Sequence, residues 1–225
     1  MAELQAAATV VLVRDGSRGM ELLLLKRPQH GAFANAWVFP GGRIEVADVR
    51  SEDDAEVDVA RNAAERETLE ETGLVVTAAQ LKHFSVWLPP PQAPKRFHTW
   101  FFIGPAPDHD EITIAEGEIV EHAWLTPQEA IDRHQRGEID LMPPTFVSIS
   151  RFIGHATVAD ALASVPDGES PLFESFVVTV DDRPAVVWKG DSEHPTSQGA
   201  EARSNTNGRH RLYMGDRPWV FERVS

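Results

Sequence analysis

From about Asp53 to Thr72 the chain runs for twenty residues without a glycine or a proline, and Ala, Glu and Arg dominate the run. That pattern predicts one long helix. Gly73 supplies the left-handed position that closes it, and Leu74 follows for the hydrophobic contact. Around this helix the apolar residues come in short runs bounded by turn residues. "AAATVVLVRDGSRGMELLLLKR" reads as two strands about a turn at Asp15 and Gly16, and "AWVFPGG" as a short strand stopped by Pro40 and a glycine pair. "LVVTAAQLKHFSVWL" and "RFHTWFFIG" read as strands about the loop "PPPQAPK", and "EIVEHAWLT" as another. A helix set among strands predicts an α/β domain.

Downstream, Thr126, Pro127 and Glu129 form a capping box that opens the helix "PQEAIDRHQRGE", and a proline pair starts a further helix, "PPTFVSISRFIGH". The character changes near "SVPDGESP". Beyond it stand strand-like runs, "SFVVTV" and "AVVWK", then a polar stretch from about Gly190 to Gly208, then "RHRLYMGDRPWVFERV" with a turn at Gly215 and Asp216. The expected organisation is a domain over residues 1–165 and a β-rich extension over 166–225 that carries a mobile loop. Together they fill 225 residues, of which 42% are hydrophobic, enough for a substantial core.

Charge and cysteine content narrow the function. A net charge of −14 argues against a partner with a phosphate backbone, which is met by clustered Lys and Arg. The chain has no cysteine, so thiolate nucleophiles, disulfides and cysteine-based zinc sites are excluded. "MAELQAAATVVLVRDG" reads as a first strand and not as a signal peptide, no run approaches the length of a membrane span, and "ERVS" is not a peroxisomal address. These readings predict a cytoplasmic protein without nucleic-acid or membrane partners.

The end of the long helix is the unusual place. Glu67 and Glu71 lie four residues apart on one face, with Glu70 beside them. Like charges at this spacing destabilise a helix by roughly 0.2–0.5 kcal/mol per pair. Carboxylates in its last turn lose about 0.3–1 kcal/mol more against the dipole. A bound divalent cation reverses both signs, because hard cations take several carboxylate oxygens at short range. Upstream, the glycine pair Gly41–Gly42 follows a strand, where glycine lets backbone approach a ligand.

Together these segments resemble the Nudix box, Gly-x5-Glu-x7-Arg-Glu-U-x-Glu-Glu-x-Gly-U, where U is a bulky aliphatic residue. Gly42 takes the first place, and Arg66, Glu67, Glu70, Glu71, Gly73 and Leu74 match the second half in order. Asp48 stands where the family has Glu, seventeen residues separate it from Arg66 in place of seven, and Thr68 replaces the first aliphatic residue. The resemblance implies the Nudix fold, an α/β/α sandwich with a mixed sheet. It also implies cleavage of a nucleoside diphosphate linked to another moiety, with Mg²⁺ or Mn²⁺ as cofactor. Glu67 and Glu71 would be the principal metal ligands, Glu70 another ligand or a base, and the carbonyl of Gly42 or a close neighbour a further ligand. Arg66 would orient the glutamates, and Glu121 or Glu118 would add an acid.

For substrate binding the candidates are Lys26, Arg27, Gly41, Gly42, Arg96 and His98, with Lys95 as a further cation. Trp37, Trp87 and Trp100 are expected in the core. The flanking segments "LLLLKRP", "RFHTWFF" and "WLTPQEAIDRHQRGEIDLMPPT" resemble the coenzyme A diphosphatase branch and its bacterial relatives. They imply coenzyme A or an acyl-CoA as substrate. His98 departs from that branch, which has Asp there. Two alternatives remain open: an ADP-ribose or NADH diphosphatase, and a non-catalytic nucleotide-sensing module. The extension is expected to lie outside the catalytic centre, either covering the pocket or forming a homodimer contact.

Overall fold

The computed structural model describes residues 3–31, 33–107, 111–198 and 208–224. The chain begins with two long strands, β1 (Leu4–Gly16) and β2 (Gly19–Lys26), then the short β3 (Ala36–Val38) and β4 (Gly41–Arg43). The helix α1 (Glu56–Thr72) follows, then β5 (Lys82–Leu88), β6 (Arg96–Pro105) and β7 (Glu121–Leu125). Next come α2 (Pro127–Gln135), β8 (Asp140–Leu141), α3 (Pro143–Arg151), α4 (Val158–Ala163) and β9 (Leu172–Glu174). The last strands are β10 (Phe176–Val180), β11 (Arg183–Val187), β12 (Arg209–Tyr213) and β13 (Val220–Val224).

Among the described residues β1 to β9 form one mixed sheet with the order β8-β3-β2-β1-β6-β5-β9, with β4 paired to β1 and β7 paired to β2. β1 runs antiparallel to β2 but parallel to β6. The period of two then separates its side chains. Val10 and Leu12 join a cluster with Ala60, Ala63 and Ala64 of α1. Val11 and Val13 join a second cluster with Ile131 of α2 and Phe146, Val147 and Ile149 of α3. Helices thus cover both faces, as the resemblance implied.

β10 to β13 make a separate antiparallel sheet, so the extension is β-rich as expected. Its Val186, Trp188 and Leu212 belong to the same cluster as Phe84, Trp87 and Phe152. β9 bridges the two parts, pairing with β5 in register Trp87↔Phe173, and Phe173 stacks on Trp87 with centroids 4.1 Å apart. Residues 199–207 of the loop read as mobile lie outside the described residues. No helix among the described residues is long and apolar enough to cross a membrane.

Two local expectations are corrected. The strand expected from Leu74 begins only at Lys82, because Thr77 and Gln80 form a capping box on a 3-10 turn over Ala78–Gln80. The helix expected through His155 stops at Arg151, with Phe152 as its C-cap. A short helix not anticipated, α4, follows Thr157, whose hydroxyl accepts from the Asp160 N–H.

Candidate active site at the end of α1

α1 ends as its sequence predicts. Gly73 has φ 73° and donates its N–H to the Leu69 carbonyl at 2.9 Å. The remaining carbonyls of the last turn are not left bare. Thr72 O accepts from Thr113 N at 2.9 Å and Glu71 O from Ala115 N at 3.2 Å, satisfying groups that a helix end orphans. This docking brings the segment carrying Glu118 to the acids. Thr68, in a place the family gives to an aliphatic residue, is fully buried, and its hydroxyl donates to the Ala64 carbonyl at 2.7 Å. A polar group buried with its partner carries little penalty.

β4 lies against β1 with Gly41 opposite Thr9 and Gly42 opposite Ala8. Both glycines sit at close approaches, Gly41 to backbone and Gly42 to the end of a side chain. A Cβ at Gly41 would meet the Ala8 carbonyl oxygen and lie 2.7 Å from Thr9 Cα. One at Gly42 would lie 2.5 Å from Glu67 Cδ. Glu67 therefore rests directly on the Gly42 backbone, and Glu71 Oε2 accepts the Gly41 N–H at 2.9 Å. Glu67, Glu71, Gly41 and Gly42 are brought together. Glu70, the third acid, has a largely exposed side chain.

Arg66 organises this corner. Its Nε and one terminal nitrogen donate to the two Asp48 oxygens at 2.9 and 3.0 Å. The same terminal nitrogen reaches the Arg43 carbonyl at 2.9 Å. The other donates to Glu67 and Glu70, each at 2.9 Å. Asp48 is buried, takes the Glu45 N–H at 2.8 Å, and offers its carbonyl to Asn62 Nδ2 at 2.9 Å. Burial alone would raise the Asp48 pKa, but the Arg66 and Glu45 hydrogen bonds outweigh it and hold the carboxyl below the usual range. The long box loop leaves this pair intact because part of it folds on itself: the N–H groups of Arg50 and Ser51 both donate to Asp54 Oδ2.

The electrostatics favour an added cation. Burial pushes Glu71 up to about 7; the Gly41 N–H and Arg27 oppose the rise, and Glu67 and Glu118 add to it. Burial likewise raises Glu67, against Arg66 and with Glu70 and Glu118. Desolvated like charges behave so when positive charge is short. In this structure Arg66 engages Glu67 and Glu70, and Arg27 Nη1 engages Glu71 at 3.3 Å. Among the described residues no group of three or more His, Asp or Glu side chains is arranged to hold a metal ion. The donor chemistry nevertheless suits a hard divalent cation at Glu67 and Glu71: carboxylate oxygens packed against a glycine backbone and under-neutralised by their surroundings.

The other sequence candidates fall into two groups. Lys26 and Glu121 pair with one another at 3.1 Å across β2 and β7, and Arg27 is committed to Glu71. Arg96 and His98 stand at the start of β6. Arg96 Nε is buried without a partner, and the His98 ring sits 4.2 Å from Trp100. Lys95 is exposed just before β6. Trp37, Trp87 and Trp100 are buried. Sequence reading missed a patch beside the glycine pair, where the Arg43 guanidinium lies 5.9 Å from the centre of the Phe97 ring and Phe33 lies 6.3 Å from that ring. Its signal was Arg43, directly after Gly42. A cavity of about 800 Å³ lies elsewhere, lined by Asp58, Arg61 and Asn62 of α1 together with Lys82 and His83.

Known proteins share the fold that carries these residues. A family model described as NUDIX domain matches residues 3–143. A Caenorhabditis elegans protein named "Putative nudix hydrolase 7" is 25% identical over 183 residues, a match that covers 65% of this chain and 60% of that protein. The crystal structure of a NUDIX hydrolase from Alicyclobacillus acidocaldarius is similar with a TM-score of 0.66 at 22% identity, covering 75% of this chain and 100% of the other. The NUDIX domain of Shewanella oneidensis NrtR, solved with ADP ribose, is similar with a TM-score of 0.51 at 14% identity, covering 74% and 91%.

Proposed function

The chain belongs to the NUDIX family, and from that premise we propose that it is a divalent-metal-dependent hydrolase of the diphosphate bond in a nucleoside diphosphate linked to a second moiety. The observation that carries this reading is the seating of Glu67 on the Gly42 backbone and of Glu71 on the Gly41 N–H. Two under-neutralised acids and a backbone able to offer carbonyl oxygen meet at one point.

Glu67 and Glu71 are the residues that would hold Mg²⁺ or Mn²⁺, with the Gly42 carbonyl. A cation bound there supplies charge neutralisation for the diphosphate and a lowered pKa for a bound water. Arg66 is a positioning residue. Anchored on buried Asp48, it fixes the rotamers of Glu67 and Glu70. Glu118, whose charge raises both Glu67 and Glu71, is the nearby acid available to take a proton from the attacking water. Glu121 in its pair with Lys26 is a weaker choice for that role. Hydrolysis adds water across the P–O–P bridge and yields two phosphate monoesters, so the protein has mainly to position and to balance charge.

For the second moiety we propose coenzyme A or an acyl-CoA. Sequence resemblance on both sides of the box supports it. So does Arg96, a buried donor without a partner, which is suited to the extra phosphate. Phe97 and Arg43 offer a face for the base. The test is a panel of CoA, dephospho-CoA, acyl-CoA, ADP-ribose, NADH, diadenosine polyphosphates and nucleoside triphosphates, with Mg²⁺, with Mn²⁺ and without metal, products identified by mass. Expected are 3′,5′-ADP and a phosphopantetheine from CoA, with dephospho-CoA cleaved more weakly. Turnover of ADP-ribose or NADH with CoA untouched would leave the diphosphatase and remove the CoA assignment. No turnover of any compound with either metal would overturn both.

A further inference from the structure

A second cavity, of about 210 Å³, lies where the two sheets meet α3. Its walls come from β5, α3, β9 and β13, and include the rings of Phe84, Trp87, Phe173 and Phe221 with Ser148 and Arg151. It lies on the face opposite α1: Phe84, Trp87, Val147 and Phe173 belong to the cluster that excludes α1. The site of diphosphate chemistry is therefore elsewhere.

The lining has an uneven chemistry. Four aromatic rings form its body, and not one carboxylate contributes, although the chain as a whole carries a net charge of −14. Two guanidiniums do contribute. Arg151 is partly buried and lies 5.5 Å from the centre of the Phe84 ring, and its one hydrogen bond is to the Ser164 carbonyl at 3.4 Å. Arg223 is exposed, at the mouth. Among the described residues neither makes an ion pair. Burial first, and then the Arg223 charge, lower the Arg151 pKa, so the Arg151 cation lacks compensation where it lies. Ser148 is 2% exposed, and its hydroxyl has no partner. The Ser85 hydroxyl accepts from Trp87 Nε1 at 3.0 Å and donates to nothing among the described residues.

A buried hydroxyl without a partner and a half-buried cation facing another cation both destabilise a fold. One species relieves all of them: an anion that accepts from Ser148 and bridges the two guanidiniums, with an apolar body against the rings. We propose that this cavity is a binding site for a small amphipathic organic anion, an aromatic or short aliphatic carboxylate. Size agrees. A cavity of about 150 Å³ holds benzene, and about 210 Å³ leaves room for one head group.

The test is calorimetric titration of the full chain with benzoate, using benzamide as a neutral isostere and acetate as a head without a body, and following tryptophan emission in parallel. Benzoate is expected to bind saturably, with benzamide and acetate each weaker by about tenfold or more, the worth of one charge-assisted contact. Arg223→Gln, on an exposed position of an edge strand, and Ser148→Ala are each expected to weaken benzoate by about tenfold and fivefold respectively. Glu71→Gln is expected to leave benzoate affinity unchanged, which separates this site from the proposed catalytic one. Equal binding of benzoate and benzamide would overturn the proposal. So would no saturable benzoate binding in the millimolar range, or full affinity in both cavity variants.

Discussion

The Asp48–Arg66 pair offers the sharpest mutational test, because the five N–H groups of one guanidinium are all spoken for. Arg66 makes two hydrogen bonds to Asp48 and one each to the Arg43 carbonyl, Glu67 and Glu70, which uses every donor it has. Asp48→Asn keeps the shape. It removes the charge and turns one acceptor into an NH₂ that faces an N–H of Arg66 or of Glu45. Breaking a buried pair by neutralising one partner costs about 3–5 kcal/mol. Arg66 retains Glu67 and Glu70 and is itself partly exposed, which places the loss near the lower end, about 3 kcal/mol. For a chain of this size that corresponds to a melting temperature lower by roughly 6–12 °C. Urea denaturation followed by far-UV circular dichroism measures it. Arg50→Gln serves as the contrast. It breaks a pair with Glu65 that is exposed, worth about 0–1 kcal/mol. If Asp48→Asn is no less stable than Arg50→Gln, the claim that this pair anchors the helix to the glycine strand fails.

Three further outcomes are expected. Gly42→Ala puts a Cβ against the flexible end of Glu67, whereas Gly41→Ala drives one into β1 backbone. The first should fold and lose turnover by about tenfold or more, the second should lower soluble yield, and equal behaviour in both would refute the close-packing argument. His134 is buried, accepts the Leu141 N–H on Nδ1, and has a pKa lowered to about 4 by burial first and then by Arg217. Its folded pKa lies below the unfolded value of about 6.5, so the unfolded state binds the proton more readily. Stability is fully present above pH ~6.5 and falls by up to about 1.4 kcal/mol per pH unit as pH drops towards 4. His134→Gln should flatten that slope in urea titrations at several pH values, and an unchanged slope counts against it. Arg211 and Asp191 are both buried and share two hydrogen bonds, at 2.6 and 2.7 Å. Arg211→Met should cost about 3–5 kcal/mol in the same assay, and a loss below about 1 kcal/mol would show that the pair does not hold the second sheet.

What could be read from the sequence was local. The glycine-free run closed by Gly73 and the acids on one helix face depend on spacing along the chain, and so does the glycine pair after β3. The structure places them as that spacing requires. Long-range partnership was hidden. Nothing near Arg27 announces Glu71, and Lys26 and Glu121 meet only because β2 pairs with β7. Asp48 could not be placed, because only the folded loop shows that the extra residues close on Asp54 and leave Asp48 beside Arg66. β9 is three residues long, too short for alternation to show. The stretch after Leu74 looked like strand because Val75 and Val76 favour it, and the reciprocal Thr77–Gln80 bonds outcompeted that preference.

In the proposed function Glu67 and Glu71 together hold a divalent cation. The most direct measurement is Mn²⁺ binding, by paramagnetic resonance of the free ion, to the wild-type chain and to Glu71→Gln, each with its fold checked by circular dichroism. Saturable binding to the wild type is expected, with a loss of affinity of about tenfold or more in the variant. A folded Glu71→Gln protein that binds Mn²⁺ as tightly as the wild type would contradict it.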